Sequence, residues 1–327
     1  MSNVLVVGGA GYIGGHLTDK LLKSKHNVKI YDNLLFEERY LKKVDFVFGD
    51  IRNKKKLKPL LSWADCVVWL VGLVGDGACS LNPDLTRKIN IDSVKWLQKT
   101  FDRRIIFMST CSIYGAQENL LYEDSTPNPL SLYAQSKVEG EKILGNGAIS
   151  FRLGTLFGLG DLFSRIRLDL VLNLLTTKAC IYKKISVFGG NQWRPHLHVK
   201  DVAGAILKNI DTNLSGPYNL CTQNMIISDL GKEIVKIVKD AKLEISNMKF
   251  EDARNYKVSA EKAKNDFEFS SEFSIQDGIN EIKDLVENGR IRDISQIRYS
   301  NTDYLRPILT AKSSPIGGEI ISQDYFE

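Results

Sequence analysis

Short apolar runs alternate with amphipathic stretches over the first half of the chain. Runs at 4–8, 28–32, 44–48, 66–72, 104–109 and 149–153 read as strands. Several are apolar throughout, as a parallel strand covered on both faces requires. Helical stretches fall near 12–24, 53–62, 83–101 and 131–144. This alternation predicts an α/β fold, a doubly wound Rossmann parallel sheet with a second, smaller α/β lobe.

Beyond about residue 155 the pattern loosens. A helix is expected near 165–178, carrying Arg165, Arg167, Asp169 and Asn173 in an otherwise apolar stretch. A strand-like run at 185–188 precedes Gly189-Gly190, and helices follow near 199–211, 228–240, 259–266 and 275–288. Residues 289–327 have weak periodicity and suit a surface wrap. The expected division is a cofactor-binding sheet domain over 1–164, rejoined by parts of 195–222, a lobe over 165–288, and an extension over 289–327.

Composition narrows the class without naming a function. The chain has 327 residues, 25% charged and 43% hydrophobic, an ordinary balance for a globular protein. Its net charge of +5 is spread along the chain, with no basic block to suggest nucleic acid. Five cysteines at irregular spacing, without CxxC, argue against a disulfide framework and against zinc. No apolar stretch is long enough for a membrane span, and a reducing cytoplasm is the expected compartment.

Two constellations carry chemistry. Gly8-Gly9-Ala10-Gly11-Tyr12-Ile13-Gly14 follows the first strand and reads as GxGxxG from Gly9 or GxxGxxG from Gly8. Glycines there let the backbone turn tightly and approach a pyrophosphate at a helix N-terminus. Asp32 ends the second strand 18 residues after Gly14, where a carboxylate accepts from ribose hydroxyls and repels a 2′-phosphate. That favours NAD over NADP. Asn33 follows it, and Asp50-Ile51 at the end of the third strand suits an adenine or a helix N-cap. The second constellation is Tyr133 and Lys137, one helical turn apart and therefore on one face. A nearby ammonium favours a phenolate, so this tyrosine is expected to be tuned below the ordinary phenol range of about 10.

Together these residues resemble the extended short-chain dehydrogenase/reductase family, in its NAD-dependent nucleotide-sugar epimerase/dehydratase branch. The resemblance runs over about residues 1–285. It is carried by Gly8–Gly14, Tyr31-Asp-Asn-Leu34, Gly49-Asp-Ile51, Asn90, Ser109-Thr-Cys-Ser-Ile-Tyr-Gly115, Tyr133-xxx-Lys137 and Arg194-xxx-His198-Val-xx-Asp201-Val. It implies that Tyr133 is the base and that Lys137 holds the nicotinamide ribose. Thr110 then bonds the reacting sugar oxygen. The cofactor groove would be lined by Gly8, Gly11, Tyr12, Ile13, Gly14, Asp32, Asn33, Asp50, Ile51, Leu70, Gly72, Asn90 and Ser109. Ser112, Arg167, Arg194 and Arg254 are the substrate candidates, the last two for a nucleotide diphosphate. His196 and His198 are read as structural, and Tyr114 as packing.

Three departures bear on the reaction. Sugar 4,6-dehydratases of this family carry Asp-Glu after the active threonine, whereas Cys111 and Ser112 stand here. The turn after the fourth strand is Leu70-Val-Gly72, followed by an unusual loop through Cys79. Cys79 and Cys111 are thus candidate acids or packed thiols. Thr155 replaces an asparagine often seen after the sixth strand. The expected activity is a nucleotide-sugar 4-epimerase working as a homodimer through helices 131–144 and 83–101. A 4-keto-deoxysugar reductase or 3/5-epimerase, and a non-catalytic NAD-binding regulator, remain open.

Overall fold

The fold is taken from a computed structural model that describes residues 1–246 and 254–310. Seven parallel strands form the central sheet. In spatial order they are Gly216–Leu220, Ala148–Leu153, Arg104–Thr110, Cys66–Trp69, Asn3–Val7, Asn27–Asp32 and Asp45–Phe48. Alternate side chains enter opposite cores. Val4, Val6, Val68, Ile106 and Phe151 pack under helices Tyr12–Leu22 and Val199–Lys208. Leu5, Val7, Val67, Trp69 and Phe107 pack on the other face, under Leu57, Leu61, Val94 and Leu97. Both faces are buried, which explains why the strands read as unbroken apolar runs.

The chain returns to this sheet from far downstream, because Gly216–Leu220 pairs with Ala148–Leu153. The second lobe has its own core, in which Phe157, Leu172, Ile185, Val187, Leu230, Ile234 and Ile279 are buried together. Its strand Trp193–His198 lies between Thr155–Phe157 and Gln223–Ile226.

The structure departs from the sequence reading in three places. The helix expected near 165–178 begins only at Val171 and ends at Tyr182. Arg165 is drawn out of helical geometry by a tertiary partner, the Arg298 carbonyl at 2.5 Å, while Arg167 bonds Asp169 two residues on at 2.7 Å. The stretch 83–101 is broken by a π-helical turn at Lys88–Asp92. Such turns arise where a helical residue serves a tertiary contact, and Asn90 is that residue here. The extension is also more ordered than expected, with helix Asn301–Thr310. Residues 311–327 lie outside the described part.

Glu281 ties the lobe to the returning chain. It accepts from the Leu159 N–H at 3.0 Å, lies 3.2 Å from His198 Nε2 and pairs with Lys200. Burial pushes this carboxyl up, but the hydrogen bonds outweigh it and hold it at about 2. The resulting stability is present above the unfolded value of about 4.5 and is lost as pH falls through about 2. Glu281→Gln is expected to cost about 2–3 kcal/mol at neutral pH, and the gap to the parent should narrow at pH ~3. Urea unfolding at both pH values checks this, and an equal gap at both would contradict it.

Candidate active site

A cleft of about 730 Å³ opens at the carboxyl ends of the sheet strands, where the chain's direction around the sheet reverses. Gly8, Gly11, Tyr12, Ile13, Gly14, Asp32, Asn33, Asp50, Ile51, Leu70, Gly72, Ser109, Thr110, Ser112, Tyr133, Lys137, Arg167, Arg194 and Arg254 all line it. Asn90 does not. It stands behind the wall, accepting from the Leu73 N–H at 2.8 Å and donating to the Leu73 carbonyl at 2.9 Å. Its role in the structure is to hold the 72–74 turn rather than to line the groove.

The glycine turn reads as GxxGxxG from Gly8. Gly8 has φ +84, and a Cβ there would sit 2.7 Å from the Val71 nitrogen. A Cβ on Gly14 would collide with the Gly9 carbonyl. At Gly11 it would meet only the Gly8 carbonyl, at 3.6 Å, so that backbone is open to a ligand. Helix Tyr12–Leu22 has no side-chain cap, which leaves its first N–H groups for an anion. Tyr12 itself donates to the Gly158 carbonyl at 2.6 Å and so joins the turn to the second lobe.

Asp32 holds two turns together. One oxygen accepts from the Ala10 N–H at 3.0 Å and the other from the Leu34 N–H at 2.7 Å. Burial pushes this carboxyl up and those hydrogen bonds pull it down. Asp50 is committed to Arg52, with contacts at 2.7 and 2.9 Å, and to Asn33 at 3.2 Å. The helix after it is capped by Asn53, not by Asp50. An adenine would therefore meet Asp50 through an already paired carboxylate. The open glycine backbone, the uncapped helix and the cleft-lining Asp32 fit a dinucleotide.

At the other end, Ser131 caps helix Leu132–Leu144 and sets the direction of Tyr133 and Lys137. Lys137 donates to the Met108 carbonyl at 2.8 Å, and its ammonium lies 4.9 Å from the Phe107 ring centre. Burial pushes it down to about 8. Tyr133 is not tuned downward as the spacing suggested. Burial and the neighbouring Cys79 push its phenol up, while Thr110 and Arg167 pull it down. Lys137 spends its hydrogen bond on the main chain of the strand, so burial decides the phenol's state.

The substrate end is a polar network. Ser112 Oγ lies 3.2 Å from the Tyr256 hydroxyl and 3.5 Å from Arg254. Arg254 also pairs with Asp76 at 3.2 Å, and Asp76 accepts from Ser131 at 2.6 Å. Arg194 donates to the Trp193 carbonyl at 2.9 Å and to the Arg254 carbonyl. Neither thiol takes part. Cys79 donates to the Leu73 carbonyl at 3.3 Å and Cys111 to the Arg152 carbonyl at 3.1 Å, and burial raises both. His196 is a buried, neutral histidine, held at about 3 by burial and by Arg194. His198 serves Glu281. Tyr114 bonds Arg152 and Asn219 at 2.8 Å each and is structural.

Sequence reasoning missed Asp76, Glu37, Tyr256, Asn301 and Thr302. Of these, Asp76, Glu37, Asn301 and Thr302 line the cleft. Only Asp76 left a trace, as part of the unusual loop after the fourth strand.

A model of the NAD dependent epimerase/dehydratase family matches residues 4–221. The chain belongs to this family. A putative UDP-glucose 4-epimerase of Methanocaldococcus jannaschii is 30% identical over 227 residues, 62% of this chain and 72% of that protein. UDP-glucuronic acid decarboxylase 1 of Danio rerio is 25% identical over 66% of this chain and 56% of its own length. The match thus spans little more than half of that relative. Among solved structures, the UDP-glucuronic acid 4-epimerase from Bacillus cereus with UDP-glucuronic acid and NAD superposes with a TM-score of 0.75 at 24% identity. It covers 88% of this chain and 99% of that one. An NAD dependent NDP-hexosamine 5,6-dehydratase gives 0.76 at 21% identity, over 90% of this chain and 100% of its own. These likenesses establish the fold, and the family is NAD dependent. No helix of the described residues is long and apolar enough to cross a membrane.

The buried Lys137 yields a test with an unusual sign. Its ammonium costs folding stability at neutral pH, and stability should rise as pH climbs from about 8 to the unfolded value of 10.5. In ligand-free protein, Lys137→Met is expected to be more stable than the parent at pH 7 by about 1–3 kcal/mol, with the advantage shrinking towards pH ~10. Thermal unfolding at the two pH values measures it. A variant less stable at pH 7 would show that the charge is not a cost.

Proposed function

We propose that this chain is an NAD-dependent nucleotide-sugar 4-epimerase acting through a transient 4-keto sugar. The observation that supports it most is that Tyr133, Lys137 and Thr110 share one cleft with the glycine turn and Asp32, and with three arginines beyond them. Arg167, Arg194 and Arg254 supply donors suited to a diphosphate, for which planar guanidinium groups are well shaped.

Held by the glycine turn and Asp32, NAD would supply the hydride acceptor and donor that inversion at the sugar's C4 requires. Tyr133 takes the proton from the C4 hydroxyl and later gives it back. Thr110, in the same cleft, hydrogen-bonds that oxygen in this reading. Lys137 lines the same cleft with its ammonium on the Met108 carbonyl, a positive charge of the kind that favours a phenolate when a ligand completes the site. Asp32 repels a 2′-phosphate and so selects the unphosphorylated dinucleotide. The Asp76–Arg254 pair and Ser112 bound the sugar end.

Elimination of water needs an acid and a base beside Tyr133. Position 111 turns its thiol away from the cleft, and position 112 offers only a hydroxyl engaged with Tyr256. The competing reading, a reductase or 3/5-epimerase of a 4-keto-deoxysugar, predicts a cofactor that exchanges each cycle. Mass spectrometry of the cofactor released on denaturation separates the two, since an epimerase keeps its NAD.

The homodimer belongs to the same proposal. Helix Leu132–Leu144 packs beside helix Ser93–Thr100, and Trp96 and Ile143 on them are only partly buried. Light scattering at the 36.8 kDa monomer mass would remove this part.

Tyr133→Phe is expected to lower turnover about 10²–10⁴-fold while NAD binding stays within a few fold of the parent. The parent, incubated with UDP-, GDP-, CDP- and dTDP-hexoses, should give an isomer of unchanged mass. A product lighter by one water, or a Tyr133→Phe variant with full activity, would overturn the assignment.

A further inference from the structure

The solved relatives align over 88% of this chain while using 99% of their own, which leaves about an eighth of this chain without a counterpart in them. The family resemblance ends near residue 285, yet the segment beyond it is not a loose tail. Residues 289–310 run back over the cleft and touch three segments of its rim. The Leu168 N–H donates to the Tyr299 carbonyl at 2.9 Å, and Arg165 reaches the Arg298 carbonyl at 2.5 Å. Tyr304 lies with its ring 5.5 Å from that of Phe36, in the loop after the second strand. Leu305 and Leu309 are buried among Leu73, Ala78, Cys79 and Leu85.

Asn301 is the hub. It is 5% exposed, and it also lines the cleft. Its N–H donates to Asp169 at 2.8 Å, its side-chain oxygen accepts from Arg165, and its amide donates to the Val74 carbonyl at 3.3 Å. Arg165 passes the constraint on, because its own N–H donates to Glu37 at 2.6 Å. A single buried amide therefore fixes the 34–37, 73–77 and 165–169 segments relative to one another, and all three line the cleft. Thr302 adds a close approach, with its hydroxyl 2.8 Å from where a Cβ on Gly77 would stand.

We propose that residues 289–310 are a strap that closes the cleft rim on the cofactor side, and that Asn301 is the positioning residue through which the strap slows NAD release. This rests on the reading that NAD occupies the cleft. It also explains how an enzyme that must return the same hydride could keep its cofactor between turnovers.

The test uses the full chain. Radiolabelled NAD is loaded onto the parent, Asn301→Ala, Asn301→Asp and Leu305→Ala, and its release into excess unlabelled NAD is followed. Asn301→Ala should release NAD at least tenfold faster, and Leu305→Ala should also be faster because it loosens the strap's seat. Asn301→Asp keeps the oxygen that faces Arg165 and should fall between Asn301→Ala and the parent. Ligand-free melting temperatures, measured in parallel, separate a rim effect from general unfolding. If Asn301→Ala does not fold, the other two variants decide. Release within twofold of the parent in every folded variant overturns the strap alone. A parent that binds no NAD overturns the cofactor reading, and the strap with it.

Discussion

Burial of the central sheet on both faces confines its polar chemistry to one edge. Seven parallel strands send Val, Leu, Ile and Phe into cores above and below. A polar side chain at mid-strand would be desolvated without a partner, at a cost of a few kcal/mol. The carboxyl ends are where that constraint lifts. Asp32, Asp50, Ser109 and Thr110 all stand there, and the parallel arrangement brings them to one rim. The second lobe then needs only to cover this edge to make a cleft, and Arg167, Arg194 and Arg254 come with it.

The same burial sets the electrostatics of the site. Lys137 is pushed down and Tyr133 up, so each is held nearer its neutral form than in water. A buried phenol and a buried ammonium with one carbonyl partner are costly to the folded state. Their placement makes physical sense if a ligand completes their surroundings. The two thiols are different, since each spends its proton on a main-chain carbonyl and neither lines the cleft. Burial alone therefore does not mark a functional group. What distinguishes Tyr133 and Lys137 is that the cleft reaches them.

Much of this architecture is legible in the sequence. The apolar runs locate six of the seven sheet strands, because burial on both faces leaves a pattern within each segment. The glycine turn and the Tyr133–Lys137 pair are legible because their geometry is local: a positive φ at Gly8, and one helical turn between two side chains. The short strands Ala116–Leu121, Gln223–Ile226 and Asn255–Val258 escape such a reading. They are partly polar and lie in small sheets where only part of each strand is buried, so the period-two signal is weak. The helix start at Val171 is misplaced by it because Arg165 answers to distant partners rather than to its neighbours.

By itself the sequence determined the parallel sheet, the glycine turn after its first strand, the one-turn spacing of Tyr133 and Lys137, and the Cys111-Ser112 pair that follows Thr110. These depend on residue type and near-neighbour spacing. Tertiary structure alone decided that Asn90 braces the wall instead of lining it, that Asp76 meets Arg254, and that Asn301 joins three rim segments. Those contacts link residues 17 to 227 positions apart. No local pattern encodes such pairings, because they arise only when separately stable elements are packed together.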